Sequence, residues 1–252
     1  MPGPADAVQT TTTGAIARVT LARPDARNAL SLPMCLALAA VFEALDADDA
    51  VLVVLLDAQG TVFCAGADMK ERVGHDEAWV RARRVAAFRA YETIERCRKP
   101  VIALLQGPVV GSGGEIALCC DFALATPAAT WRFPEPQWGT VGATQRLQRA
   151  IGKRRAKEML FTGRAMRAEE ALAAGLVARL VAASALASAG NEAAAMVAKA
   201  PPLAMALTKQ AVDLGEEVAL TTGIRIELAA IDRNLAEGNW RQGLAAFADK
   251  AK

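Results

Sequence analysis

Two continuous apolar runs constrain this chain more than any other feature: VLVVLL over 51–56 and VIALL over 101–105. A strand with one solvated face alternates polar and apolar residues. A run with no polar face is covered on both sides, as in a sheet packed between helices. Each run passes through a small-residue turn into a helical pattern. After the first, TVFCAGADMKE over 61–71 precedes a helix expected over 77–98; after the second, GPVVGSGGE over 107–115 leads into the apolar segment Ile116, Ala117, Leu118, Cys119 and Cys120. Repeated strand, turn and helix units define an α/β class.

The rest of the chain fits around these units. Residues 15–21 alternate, with Ala17, Val19 and Leu21 on one face, and read as a strand. A turn over 23–28 follows, and Ser31 can cap a helix in which Met34, Leu38, Val41, Phe42 and Leu45 recur at helical spacing. In 77–98, Val80, Ala87, Tyr91 and Ile94 share one face. Arg81, Arg83, Arg84, Arg89, Arg96 and Arg98 cover much of the remainder, which reads as a solvated face in preference to a phosphate or RNA contact. Beyond Gly152 helical patterns dominate: 153–161, 168–174 stopped by Gly175, 184–199, 202–214 opened by Pro201-Pro202, 216–236 and 239–250, with one short strand at 177–181. Residues 1–13 are polar and expected to fray. The expected organisation is a core over 1–180 and a helical appendage over 181–252.

Composition excludes several function classes. With 53% apolar and 22% charged residues the chain builds a packed core, and a net charge of +2 argues for neither nucleic acid nor membrane as the main partner. The cysteines are Cys35, Cys64, Cys97, Cys119 and Cys120. An odd number, without a C-x-x-C pair, indicates neither a disulfide framework nor a zinc site and fits a reducing, cytoplasmic location. The N-terminus lacks the basic start and apolar run of a signal peptide, and no stretch approaches the roughly 18 charge-free apolar residues of a membrane helix. A histidine-dependent triad would have to use His75, the only histidine.

The candidate chemistry lies between 107 and 146. The turn Gly111-Ser112-Gly113-Gly114 lets backbone approach a ligand and leaves N–H groups free at a helix start, where they favour a developing negative charge. Glu115 sits at that junction and Glu135 follows in Pro134-Glu135-Pro136. Either glutamate alone reads as a helix-turn or loop carboxylate. A second small-residue turn, Cys64 to Lys70, changes the balance. Two such turns can aim two N–H donors at one carbonyl oxygen, beside carboxyls tuned by burial for proton transfer.

At this point the chain resembles the enoyl-CoA hydratase/isomerase (crotonase) family. The matching pieces are Arg23-Pro24 with Asn28-Ala29-Leu30, FCAGADMKE over 63–71, KPVIA over 99–103, GSGGEIA over 111–117 with Cys120-Asp121, Pro134-Glu135, TQRL over 144–147 and AAGLV over 173–177. They run in order from residue 15 to 249. The resemblance implies a spiral of strand–strand–helix units, with C-terminal helices that assemble trimers, often paired into hexamers. It implies acyl-CoA thioesters as substrates and coenzyme A as part of the substrate, with no metal or separate cofactor. It assigns the thioester oxygen to the N–H groups of Ala67 and Ser112, assistance to water attack at C3 to Glu115, and protonation of C2 to Glu135. Arg27 and the stretch Ala65, Gly66, Asp68, Met69 and Lys70 match positions lining the coenzyme A groove, and Gly111 belongs to the glycine turn. Hydratases of the family carry both glutamates; isomerases and several other members keep one or neither. The loop 139–146 is shorter than the usual hydratase loop, and Trp138 stands where a leucine is common, which implies an acyl pocket limited at its far end. Alternatives are another crotonase reaction, such as isomerisation or hydration of a cyclic or branched enoyl-CoA, and a weakly catalytic acyl-CoA- or RNA-binding relative.

Overall fold

The structure, a computed structural model, describes residues 7–238, 240, 241 and 244. Most of the helix expected over 239–250 lies outside these residues. The larger of two sheets joins β1 (Val8–Thr13), β2 (Ile16–Leu21), β3 (Val53–Ala58), β4 (Val101–Leu105), β6 (Phe122–Ala125) and β9 (Arg179–Leu180) in the order β1-β2-β3-β4-β6-β9. The smaller joins β5 (Val109–Val110), β7 (Thr130–Arg132) and β8 (Ala165–Arg167). From β2 to β9 every pairing in the larger sheet is parallel, as the all-apolar runs require. The helices are α1 (Leu32–Ala47), α2 (Glu77–Glu95), α3 (Ser112–Leu118), α4 (Arg146–Ile151), α5 (Lys153–Thr162), α6 (Ala168–Ala173), α7 (Leu186–Val197), α8 (Pro202–Glu216) and α9 (Leu220–Ala236).

The chain advances as a spiral of strand, strand and helix. β4 in the larger sheet is followed by β5 in the smaller and then by α3; β6 is followed by β7 and then by α4 and α5. The preceding turn has the same plan in reduced form. After β3, Cys64 makes a parallel bridge to Val109 before the chain enters α2. This lateral stacking puts equivalent points of successive turns side by side, and the site depends on it.

One expectation is corrected at the N-terminus. Residues 8–13 do not fray: β1 pairs antiparallel with β2 along its whole length, from Val8 opposite Leu21 to Thr13 opposite Ile16. Its threonines are β-branched and suit a strand, while only Val8 is buried, so the apolar pattern that marks the other strands is missing.

The helix signals act as read. The Ser31 side chain accepts from the Met34 N–H at 3.4 Å, and Asp76 caps α2 by accepting from the Trp79 N–H at 2.9 Å. One core lies between the sheets, α1 and α2, around Phe42, Phe63, Tyr91 and Trp131. A second, formed by Val53, Leu55, Ile102, Leu104 and Leu124, is covered by Leu186, Ala193 and Ala194 of α7. So α7, which follows the boundary expected at 180, covers the far face of the sheet. α8 and α9 pack on each other, and α8 is tied to the core through Lys209, which pairs with Asp121 at 3.0 Å.

The arginines of α2 and just beyond it are largely committed. Arg83 departs from the expected solvated face: it is buried and pairs with Glu71 at 2.8 Å. Arg89, Arg96 and Arg98 face Glu43, Glu92 and Asp46 at the surface. The five cysteines are free and buried, and no helix among the described residues is long and apolar enough to cross a membrane.

Candidate active site

Two adjacent backbone segments frame the site. The Cys64–Val109 bridge and the Val110 N–H donating to the Cys64 carbonyl at 2.9 Å hold the first small-residue turn against the second. On its other side the first turn is fixed to Leu30: the Leu30 N–H donates to the Gly66 carbonyl at 2.8 Å, and the Asp68 N–H donates to the Leu30 carbonyl at 3.0 Å. Neither the Ala67 nor the Ser112 N–H donates to a protein acceptor among the described residues. Ser112 is the first residue of α3, where an N–H has no partner within the helix. Gly113 is required by this close approach: a Cβ there would lie 2.7 Å from both the Cβ and the carbonyl oxygen of Cys64.

The two glutamates meet around the second turn. Glu115, in the first turn of α3, is buried. Its Oε2 accepts from Nη1 of Arg146 at 3.1 Å. Arg146 also donates to both Glu95 oxygens, at 2.9 and 2.6 Å, and lies 5.9 Å from the centre of the Tyr91 ring. The Tyr91 phenol faces the Ser112 side chain and is pushed above its ordinary range by burial.

Glu135 lacks a counterpart of Arg146. Its Oε2 is buried and has no hydrogen-bond partner. Two glycines make its seat. Gly111, at φ +48°, leaves room where a Cβ would lie 2.8 Å from Oε1 of Glu135, and a Cβ on Gly142 would lie 2.8 Å from its Cγ. Burial raises the Glu135 pKa above the ordinary carboxylate range; a hydrogen bond from its own backbone N–H and the charge of Arg84 oppose this, and the charge of Glu115 adds to it. The loop after Gly139 therefore packs directly on this carboxyl. Arg84 clamps that loop, donating to the Val141 carbonyl and the Thr140 hydroxyl, each at 2.8 Å.

The remaining positions singled out in the sequence gather on one side. The Ala65 N–H donates to the Arg27 carbonyl at 3.0 Å, so Arg27 and the 65–70 stretch are neighbours. Arg27, Met69 and Lys70 are exposed. Asp68 pairs with Arg23 at 3.0 Å and accepts from the Lys70 N–H at 3.1 Å, so its carboxylate braces the turn. Trp138 is 69% exposed, at the surface beside Glu135. Sequence reading assigned no role to Arg146, although it lies in the quoted TQRL motif. It also missed Arg84, Tyr91 and Gly142 as members of the site. Arg146 is 31 residues from Glu115 and Val141 is 57 from Arg84, so no local spacing reveals either contact. Among the described residues no cluster of His, Cys, Asp or Glu could hold a metal ion.

The fold is a strand–strand–helix spiral that brings one buried and one half-buried carboxyl beside backbone N–H groups without protein acceptors. Comparison with known proteins identifies the family. The family model described as enoyl-CoA hydratase/isomerase matches residues 11–252, and the chain belongs to that family. A short-chain-enoyl-CoA hydratase of Clostridium acetobutylicum is 33% identical over 243 residues, covering 95% of this chain and 93% of that protein. An enoyl-CoA isomerase/hydratase of Mycosarcoma maydis is 35% identical over 244 residues, covering 92% and 89%. The crystal structure of an enoyl-CoA hydratase from Bacillus anthracis superposes with a TM-score of 0.94 at 34% identity, covering 97% of this chain and 96% of that one.

Proposed function

We propose that the protein is a hydro-lyase that adds water across the 2,3 double bond of an enoyl-CoA thioester. The observation that carries this reading is the unequal pair of carboxyls: Glu115 held by Arg146, and Glu135 with a buried Oε2 that has no partner and a pKa raised by burial. A hydration that removes one proton from water and delivers another to carbon needs one base and one acid, and two carboxyls in unlike environments supply them. Water held between the two carboxyls attacks C3 and loses a proton to Glu115. The displaced electron pair moves onto the thioester oxygen, where the N–H groups of Ala67 and Ser112 meet the developing charge. Collapse of the enolate takes a proton from Glu135 at C2. The overall addition is neutral, and proton exchange with solvent restores the starting state. Coenzyme A enters as part of the substrate, along Arg27 and the 65–70 stretch, and no other cofactor is used.

The test is a panel of 2-enoyl-CoA thioesters followed by loss of absorbance of the conjugated double bond. The reading expects saturable loss with at least one member. A panel that is shifted to isomers without taking up water, detected by mass spectrometry, would replace it with isomerisation.

We also propose that the chain assembles as a trimer or a pair of trimers through α8 and α9. Val212, Leu220, Ile224, Leu228, Ile231 and Leu235 are exposed on these two helices, and α9 has no buried residue. An apolar surface of this kind seeks a partner. Sedimentation at micromolar concentration is expected to give three or six subunits; a stable monomer contradicts the proposal. The buried free thiols fit a reducing, cytoplasmic setting.

A further inference from the structure

The helix α2 carries neither of the two glutamates, yet its side chains reach every part of the site. Arg83 donates to the Leu30 carbonyl, and Leu30 is the residue to which the first turn is fixed. Two further side chains of α2 reach the carboxyls, each through one intermediary. Glu95 accepts from Nε and Nη2 of Arg146, at 2.9 and 2.6 Å, which leaves Nη1 to donate to Glu115 at 3.1 Å. Arg84 donates to the Val141 carbonyl and the Thr140 hydroxyl, each at 2.8 Å. The Thr140 N–H in turn donates to the Glu135 carbonyl at 3.0 Å, and Gly142 lies against the Glu135 Cγ.

These contacts set direction. A guanidinium is planar, and two-point pairing with a carboxylate fixes its plane. With Nε and Nη2 held by Glu95, the direction of Nη1 is fixed, and with it the hydrogen bond to Glu115. Glu115 stands on the short helix α3 and Glu135 in a loop, so neither is held in the frame of the other by its own element. Arg84 and Glu95 are both on α2, eleven residues apart, which is three turns and about 20°, so they share a face. α2 is 19 residues long and buries Ala87, Ala90, Tyr91 and Ile94. A packed helix holds a constellation more firmly than a loop does. Neither side chain is needed to fill the core: the Glu95 side chain is 43% exposed and Arg84 is half-buried.

We propose that Glu95 and Arg84 are positioning residues, each acting through one carboxyl: Glu95 on Glu115 by way of Arg146, and Arg84 on Glu135 by way of the loop 140–142. This rests on the reading that both glutamates take part in the reaction. α2 then serves as the common frame in which the acid, the base and the backbone donors are held.

The test measures steady-state turnover of the best enoyl-CoA thioester, with the product identified by mass spectrometry. It uses the single variants and their crosses with Glu115→Gln and Glu135→Gln. Glu95→Gln and Arg84→Met are each expected to lower kcat about ten- to a hundredfold, the cost of a misplaced reacting group, with KM changed much less. Glu95→Asp keeps both carboxylate oxygens and Arg84→Lys keeps a charged donor, so each should recover part of the loss. The crosses carry the decision. Glu95→Gln should have no further effect in the Glu115→Gln background and its full effect in the Glu135→Gln background; Arg84→Met should show the reverse. Losses of equal size in both backgrounds mean a general loosening of α2 and overturn the proposal, as does an unchanged kcat in the single variants. Near-full activity of Glu135→Gln overturns the role given to Arg84. The product judges the hydration reading separately. Selective coupling with a product that has taken up no water leaves the positioning roles standing and sinks hydration; water uptake without selective coupling does the opposite.

Discussion

Glu115→Gln and Glu135→Gln are each expected to lower kcat on the best enoyl-CoA substrate by about 10²–10⁴, the usual contribution of a positioned acid or base, with much smaller changes in KM. The two variants should differ sharply in stability. Glu135 is half-buried, with a buried, unpartnered Oε2 and a raised pKa, so an amide of the same shape relieves the fold at neutral pH. Glu135→Gln should gain about 1–2 kcal/mol, or roughly 2–8 °C in Tm. The sign of the pH dependence follows from the raised folded pKa. The parent's stability contribution from this group is present below the ordinary carboxylate range and is lost as pH rises through the folded value. The gap between variant and parent should therefore open with increasing pH and close in acid. An inactive variant that is also less stable than the parent at neutral pH would contradict the assignment of Glu135 as an acid whose pKa is raised by burial. Near-full activity in Glu135→Gln, with Glu115→Gln inactive, would favour a one-glutamate isomerase.

The second large effect is expected at Arg146. Arg146→Met strips the partner from a carboxylate that is 6% exposed. Breaking a buried ion pair from one side costs about 3 kcal/mol or more, because the remaining charge is left without compensation. Denaturant unfolding should reveal this loss, and the double variant Arg146→Met with Glu115→Gln should recover most of it. A double variant no more stable than Arg146→Met would mean that the loss came from Glu95 or Tyr91 packing instead. Activity should fall with the single change, since Glu115 loses the partner that holds its carboxylate in place.

The parts legible in the sequence were those with a local cause. All-apolar runs marked β3 and β4, the side-chain cap at Ser31 marked the start of α1, and the glycine turns located the backbone donors; the Asp76 cap of α2 was not read from the sequence. Both glutamates were found from their setting beside those turns. The parts that were not legible depend on what the spiral brings together. β1 is a strand because an edge of β2 is free to pair, which its threonines do not announce. β5, β7 and β8 are two or three residues long, too short for any period to register. Loop length was read as a departure from the family, but its meaning is a contact: Gly142 lies against Glu135.

The lateral stacking of the two turns through Cys64 and Val109 has a consequence for how this protein varies. If the donors that meet the thioester oxygen belong to the main chain, they are encoded by curvature and spacing, not by the identity of the residues that bear them. A survey that trims side chains one at a time would pass over Ala67 and Ser112 almost silently, while striking the glycines and the Cys64 neighbourhood that hold the chain in place. Replacing a single amide by an ester at either position would expose the contribution directly. The same property lets the substituent at 112 drift, from glycine to serine or back, without loss of the reaction.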